Sequence, residues 1–340
     1  MEVKPKVYFR ADGSAQIGLG HVMRCIALAE ILSTDFSCHF IIQKPLSTIK
    51  KRILEVCIEI IELEISTNYF QEAQYITQVV QKKDIIVLDG YNYGTAYQNE
   101  LKKHSIKIVS IDDTFKCHFV ADAVINHAPG LIPSTYSAES TTRFCLGFAY
   151  SLLRRPFLEA ATKDRTIGKI ENAFICLGGS DFNNITIKIL QDLKENNSKL
   201  YKVHIVLGGA NLYKEKVKQF SETITSMKIF LYENLSPVEM VEVMKKADIG
   251  IVSASSILYE VAAVKMPVIS GFYVENQLNV YKGFKELGLI YGVGDLNEFT
   301  GYSDLINRID NKGIAVMLKK QKKHINGSSN DNLKALFQSL

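Results

Sequence analysis

The chain has no C-x-x-C pair, no long block of one charge and no low-complexity segment. It also has no apolar run near the roughly 18 residues that span a bilayer. Each absence removes a class of function. Six cysteines (Cys25, Cys38, Cys57, Cys117, Cys145 and Cys176) stand far apart, without metal-ligand spacing. A disulfide framework belongs to much shorter chains. Cys176 falls in an apolar strand signal and reads as a small buried thiol. The opening residues MEVKPKVYFRADG contain no apolar signal core, so a cytoplasmic protein without a membrane span is expected. The net charge of +4 comes from scattered lysines, which leaves no footprint for nucleic acid. The remaining composition, 47% hydrophobic and 22% charged over 340 residues, is that of a soluble globular chain of about two domains.

Strand-length apolar runs alternate with helical patterns. In the first half they are VYF (7–9), HFII (39–42), IIVLD (85–89), KIVSID (107–112) and AVIN (123–126), with helical spacing over 21–32 and 71–81. The pattern restarts with AFICLGGS (173–180), KVHIVLGG (202–209), KIFLY (228–232), DIGIVSAS (248–255) and PVISGFY (267–273). Near-continuous apolar runs fit parallel strands covered on both faces, so the expected fold is two doubly wound, Rossmann-like α/β sheets. The charged stretch 151–172 reads as a linker with a hinge near 155–170. The expected division is 1–155, 156–320 and a polar, lysine-rich helix and tail over 321–340. Open α/β sheets bind ligands beyond the carboxyl ends of their strands, here expected to line a shared cleft.

Those loops hold the unusual residues. RADGSAQIGLGHVMRC (10–25) turns from strand to helix with Gly18 and Gly20, which allow close backbone approach, just before His21. A dinucleotide fingerprint would need a third glycine where Met23 stands. Histidine titrates near neutral pH and suits proton transfer, although His21 at a helix start also reads as a packing residue. Asp12 reads as a group that orients His21 or holds substrate, or as a turn carboxylate. Arg10 reads as a substrate ligand or the partner of a carboxylate. His104, His118, His127 and His204 have no comparable setting and read as structural or exposed.

In the second half, Gly178, Gly179 and Ser180 lie between a strand and a helix, where backbone N–H groups can face an anion. A plain turn capped by Asp or Asn is the alternative. Ser253, Ser255 and Ser256 repeat the arrangement, and Glu260, one turn on, either accepts from a diol such as a ribose or lies on the helix surface. Glu275, Asn276 and Gln277 follow the next strand and suit a sugar or phosphate. Two such helix starts in one half favour a diphosphate ligand.

Together RADGSAQIGLGHVMRC, VLDGY, CLGGSD, VSASSILYE and YVENQ resemble, in order over about residues 5–300, the UDP-2,4-diacetamido-2,4,6-trideoxy-β-L-altropyranose hydrolases of pseudaminic acid biosynthesis. The resemblance implies the two-domain GT-B architecture with UDP on the second domain. It also implies inverting attack of water at the anomeric carbon, C1–O cleavage and release of UDP, without metal or organic cofactor. The family's active-site histidine maps to His21, the tyrosine of its D-x-Y motif to Tyr91, the asparagine of its N-Q motif to Asn276 and its nucleotide-binding glutamate to Glu260. Gly90 stands where the family carries a bulkier residue. The implied partner is a UDP-sugar, and the oligomeric state is left open. A GT-B glycosyltransferase using a UDP-sugar donor and a non-catalytic UDP-sugar binder remain as alternatives.

Overall fold

The computed structural model describes residues 4–13, 19–196 and 198–340. They form two units, Met1–Arg155 with Ser328–Leu340, and Pro156–Gly327.

The strands of the first unit are β1 (Lys6–Ala11), β2 (Ser37–Gln43), β3 (Glu59–Leu63), β4 (Ile85–Asp89), β5 (Lys107–Ile111), β6 (His118–Phe119), β7 (Ala123–Asn126), β8 (Ser137–Ala138) and β9 (Arg143–Leu146). β6 and β8 pair apart, while the other seven lie in the order β3-β2-β1-β4-β5-β7-β9. Every pairing in that sheet is parallel. Its helices begin with α1 (Gly20–Leu32), α2 (Ser47–Leu54), α3 (Tyr69–Val79) and α4 (Thr95–Lys103). All of β4 is buried, as a strand covered on both faces must be. β3 and β9 escaped the apolar-run reading because EIIEL and RFCL mix charge with apolar residues; both lie at sheet edges.

The chain continues through α5 (Arg155–Ala161) into the second unit. There β10 (Asn172–Cys176), β11 (Lys202–Leu207), β12 (Lys228–Glu233), β13 (Ile249–Ser253), β14 (Val268–Phe272) and β15 (Tyr291–Asp295) form a parallel sheet in the order β12-β11-β10-β13-β14-β15. Its helices are α6 (Ile185–Glu195), α7 (Lys214–Glu222), α8 (Pro237–Lys245), α9 (Ser256–Ala263), α10 (Leu278–Glu286), α11 (Tyr302–Arg308) and α12 (Asn311–His324). α13 (Ser329–Gln338) returns to the first unit.

Both sheets reverse their winding once, between β1 and β4 in the first and between β10 and β13 in the second. In doubly wound sheets the crevice beyond the strand ends at that reversal is where ligands bind. This fixes where each unit's site is to be sought.

Two segments differ from expectation. The stretch after Arg155 is packed, not a free linker: Phe157, Leu158, Ile167 and Ile170 are buried, and the Arg165 guanidinium donates to the carbonyls of Met244, Lys245 and Ala247 at the end of α8. The C-terminal stretch is not a solvated tail either. The lysines of 319–323 belong to α12, whereas Leu333, Leu336 and Phe337 form a buried stripe at helical spacing on α13. Phe337 meets Phe36 edge-on at 6.2 Å, and Asn332 and Arg143 add bonds to the Ala149 carbonyl and the Ser339 hydroxyl.

Lys265 is fully buried in the second unit. Its ammonium donates to the carbonyls of Ala161 (3.0 Å), Ala263 (2.9 Å) and Ile325 (2.9 Å).

Candidate active site

In the first unit the reversal sets the end of β1 beside the end of β4, with Ala11 in register with Asp89. α1 starts just beyond β1, and the His21 imidazole in its first turn reaches the neighbouring strand. Nδ1 lies 2.6 Å from Asp89 Oδ1. Arg24, one turn further along α1, grips the same carboxylate with two bonds, Nε to Oδ2 and Nη2 to Oδ1, each 2.5 Å. Its Nη1 donates to Asp113 Oδ2 at 3.0 Å, in the loop after β5. Asp89 has no exposed surface. Burial works to raise its pKa, but the charges of Arg24 and His21 outweigh it and hold the carboxyl at about 2. The carboxylate is therefore ionised at neutral pH and accepts only, so the hydrogen between it and His21 sits on Nδ1. That leaves Nε2 as the basic nitrogen. Tyr91 stands edge-on to His21, 4.9 Å between ring centres, and is 53% exposed.

Asp12 does not orient His21. Its Oδ1 accepts from Arg10 Nη1 (2.6 Å) and the Gln43 N–H (2.9 Å), and its Oδ2 from the Tyr93 hydroxyl at 3.3 Å. Arg10 is not a surface ligand either, because its guanidinium is 0% exposed. It bonds both oxygens of Glu72, at 2.8 and 2.9 Å, and lies over the Tyr93 ring. Burial opposes the Arg10 charge, but Tyr93, Glu72 and Asp12 together hold it firmly protonated. Arg10 thus fixes Asp12, whose side chain keeps 18% of its surface open to a ligand.

Gly18 lies outside the described residues. At Gly20 a β-carbon would meet nothing within 4 Å among the described residues, so packing does not demand a glycine there. At Gly90 it does, since a β-carbon would lie 2.8 Å from the Tyr93 ring.

In the second unit the reversal brings the loop after β10 beside the loop after β13. Gly178 adopts φ +86°, a conformation that favours glycine. A β-carbon there would lie 3.6 Å from Ser255 Oγ and 3.7 Å from Ser253 Oγ. Those two hydroxyls are 3.0 Å apart. The two helix starts are unequal. Asp181 accepts from the N–H groups of Ile185 (2.8 Å) and Thr186 (3.1 Å), so the start of α6 is already satisfied by the protein. At the start of α9 the Ser255 side chain makes no capping bond, and Ser255 and Ser256 are partly exposed there. Ser180 is buried, and Gly179 accepts from the Ala210 N–H at 3.0 Å.

Glu260 is not on a helix surface. It is 8% exposed in the apolar helix α9, an unusual place for a carboxylate without a function or partner. Gln277 turns inward, and its Oε1 accepts from the Tyr273 N–H at 3.1 Å. The Tyr273 hydroxyl in turn donates to the Leu177 carbonyl at 3.0 Å, tying this loop to the glycine loop. Asn276 is exposed beside it.

Sequence reading missed Asp89, Arg24 and Asp113. Asp89 was visible as the aspartate of VLDGY, and Arg24 as a charge three residues after His21 on a mostly apolar helix; Asp113 carried no signal of its own. Among the described residues no three His, Cys, Asp or Glu side chains converge to hold a metal ion, and no helix is long and apolar enough to cross a membrane.

No protein-family model matches the chain. It is 28% identical over 283 residues to the UDP-2,4-diacetamido-2,4,6-trideoxy-β-L-altropyranose hydrolase of Campylobacter jejuni, covering 80% of this chain and 93% of that one. It is also 28% identical to the spore coat polysaccharide biosynthesis protein SpsG of Bacillus subtilis, over 84% of this chain and 83% of that one. Among solved structures, MurG of Acinetobacter baumannii matches with a TM-score of 0.66 at 15% identity, covering 99% and 100% of the two chains. HepE of Anabaena, in complex with UDP and glucose, matches with a TM-score of 0.62 at 12% identity, covering 99% and 100%. The resemblance read from five loops is therefore carried by four-fifths of the chain: it is similar to the Campylobacter hydrolase and folds as two Rossmann-like, doubly wound units of the GT-B class.

Proposed function

We propose that the chain hydrolyses a UDP-activated diacetamido-trideoxy sugar at C1, with inversion, to the free sugar and UDP, in pseudaminic acid biosynthesis. The observation that carries this reading is the His21–Asp89 pair, 2.6 Å apart at the reversal of the first sheet. Ionised Asp89 keeps the proton on Nδ1, so Nε2 takes a proton from the attacking water; a base so placed contributes on the order of 10²–10⁴-fold. Water's oxygen bonds to C1 as the C1–O bond breaks, and the electron pair leaves with UDP. Tyr91 borders the base, and Asp12 binds a polar group of the sugar. The start of α9, with Ser255 and Ser256, receives the diphosphate, and Glu260 takes the ribose hydroxyls. The start of α6 is spent on Asp181, so the Gly178–Gly179 loop contributes closeness of approach more than helix charge. The similarity to the Campylobacter hydrolase and the UDP held by a protein of the same fold support this assignment.

The deciding experiment measures UDP release from the candidate sugar nucleotide with and without added acceptor sugars. Release that needs no acceptor supports hydrolysis. Release only with an acceptor identifies a transferase, and binding without release identifies a carrier.

A further inference from the structure

Arg24 touches both members of the His21–Asp89 pair. Its Nη2 shares Asp89 Oδ1 with the imidazole and lies 3.0 Å from His21 Nδ1. Nη2 is a donor in every protonation state, and Nδ1 already donates to Asp89, so the two nitrogens face each other across one shared oxygen without bonding. Protonating His21 at Nε2 would place a second positive charge against the guanidinium, with one carboxylate left to balance both. Without Arg24 the same carboxylate would belong to His21 alone, and a buried imidazolium–carboxylate pair would hold its proton.

We propose that Arg24 is a positioning residue that sets the protonation state of His21, keeping the imidazole neutral and its Nε2 available at neutral pH. This rests on His21 being the base of the proposed hydrolysis. Each of its three nitrogens faces this cluster: Nε and Nη2 donate to Asp89, and Nη1 donates to Asp113.

The remaining groups around the pair are consistent with this. On α1, the Cys25 thiol donates to Asp89 Oδ2 at 3.7 Å, and burial beside that carboxylate keeps it protonated. After β4, Tyr91 presents its ring edge-on to His21. After β5, Asp113 balances the far side of Arg24, next to Asp112, whose carboxyl burial pushes upward. After β7, burial first and the Arg24 charge second hold His127 down at about 4. At the end of β1, Asp12 is engaged by Arg10, Gln43 and Tyr93.

The test reads the His21 titration directly, by NMR of the ring in the ligand-free protein, together with the pH profile of kcat/KM. In Arg24→Gln the His21 pKa should rise by about 1–3 units, the size of a close charge effect. The acidic limb of the profile should rise by the same amount, so activity lost at neutral pH returns at higher pH. Arg24→Lys should retain most of the wild-type titration. Asp113→Asn removes a negative charge from the far side of Arg24 and should move the His21 pKa the other way, downward and by less. An unmoved titration in Arg24→Gln, or an upward shift in Asp113→Asn, overturns the proposal; if Arg24→Gln does not fold, the Arg24→Lys and Asp113→Asn titrations decide. A shifted titration with an unshifted kcat/KM profile upholds the role of Arg24 and removes His21 as the base, so the two failures are separable.

Discussion

The His21 imidazole and the Asp89 carboxylate meet at 2.6 Å although 68 residues separate them in the chain. The parallel pairing of β1 with β4 closes that distance, and α1 then carries the ring over the end of β4. Asp89→Asn offers an amide N–H where the carboxylate accepted, which favours the wrong imidazole tautomer. We expect kcat to fall about 10²–10⁴-fold with UDP affinity unchanged. His21→Gln should cost about 10²-fold or more, and the double variant little beyond the worse single one, because the two act as a unit. Steady-state kinetics on the four proteins checks this; fully additive losses would separate the pair.

Gly90→Ala places a methyl where 2.8 Å separates that position from the Tyr93 ring. Tyr93 is buried against Tyr69, Tyr97 and Arg10 and cannot swing away cheaply. The expected loss of stability is about 1–3 kcal/mol, as for other overpacked cores. Thermal unfolding measures it, and an unchanged Tm would mean that Tyr93 repacks freely.

Glu260→Ala removes the carboxylate assigned to the ribose. UDP binding should weaken by roughly 1.5–3 kcal/mol, the range for hydrogen bonds to charged groups. Calorimetry with UDP alone is sufficient. Unaltered affinity would place the ribose elsewhere and leave Glu260 a structural carboxylate of α9.

Backbone N–H groups and hydroxyls at the start of α9 are the donors assigned to the diphosphate, so full activity is expected in EDTA. Reaction in ¹⁸O-water should label the free sugar and leave UDP unlabelled. Label in UDP would mean attack at phosphorus, and activity lost in EDTA and restored by magnesium would show that these donors are not sufficient.

Lys265 gives a pH dependence of folding with a definite sign. Burial, with help from Lys322 and against Asp164, lowers its pKa from the ordinary 10.5 to about 8. Between those values the unfolded chain holds the proton and the folded chain does not, so this group's contribution to stability rises with pH across the window. A shift of that size corresponds to roughly 3 kcal/mol. Urea unfolding from pH 7.5 to 10.5 should show wild type gaining on Lys265→Met, and a constant difference would refute the titration.

The two-sheet architecture was legible because buried parallel strands advertise themselves as apolar runs; ten of them were found by that rule alone. β3, β9 and β15 were missed because edge strands are half solvated and tolerate Glu59, Arg143 or the glycines of YGVGD. His21 and Glu260 were legible as polar residues in apolar helices. The partners of His21 were not, since only tertiary register sets Asp89 and Asp113 beside α1. For Arg10 the sequence leaves open a substrate ligand or the partner of a carboxylate, and Glu72 from α3, 62 residues away, decides for the partner.

The first unit is not continuous in the chain, because its last thirteen residues, Ser328–Leu340, follow the whole of the second unit. During synthesis the helix that carries His21 therefore emerges long before the segment bearing Phe337 and Leu333, which are buried in that unit. At about 5–20 residues per second, the 185 residues from 156 to 340 take on the order of ten to forty seconds to appear. When residue 327 is made the second unit has its whole chain, while the first still lacks Ser328–Leu340. The segment that completes the unit holding the proposed base is thus made after the second unit and not with its own catalytic loop.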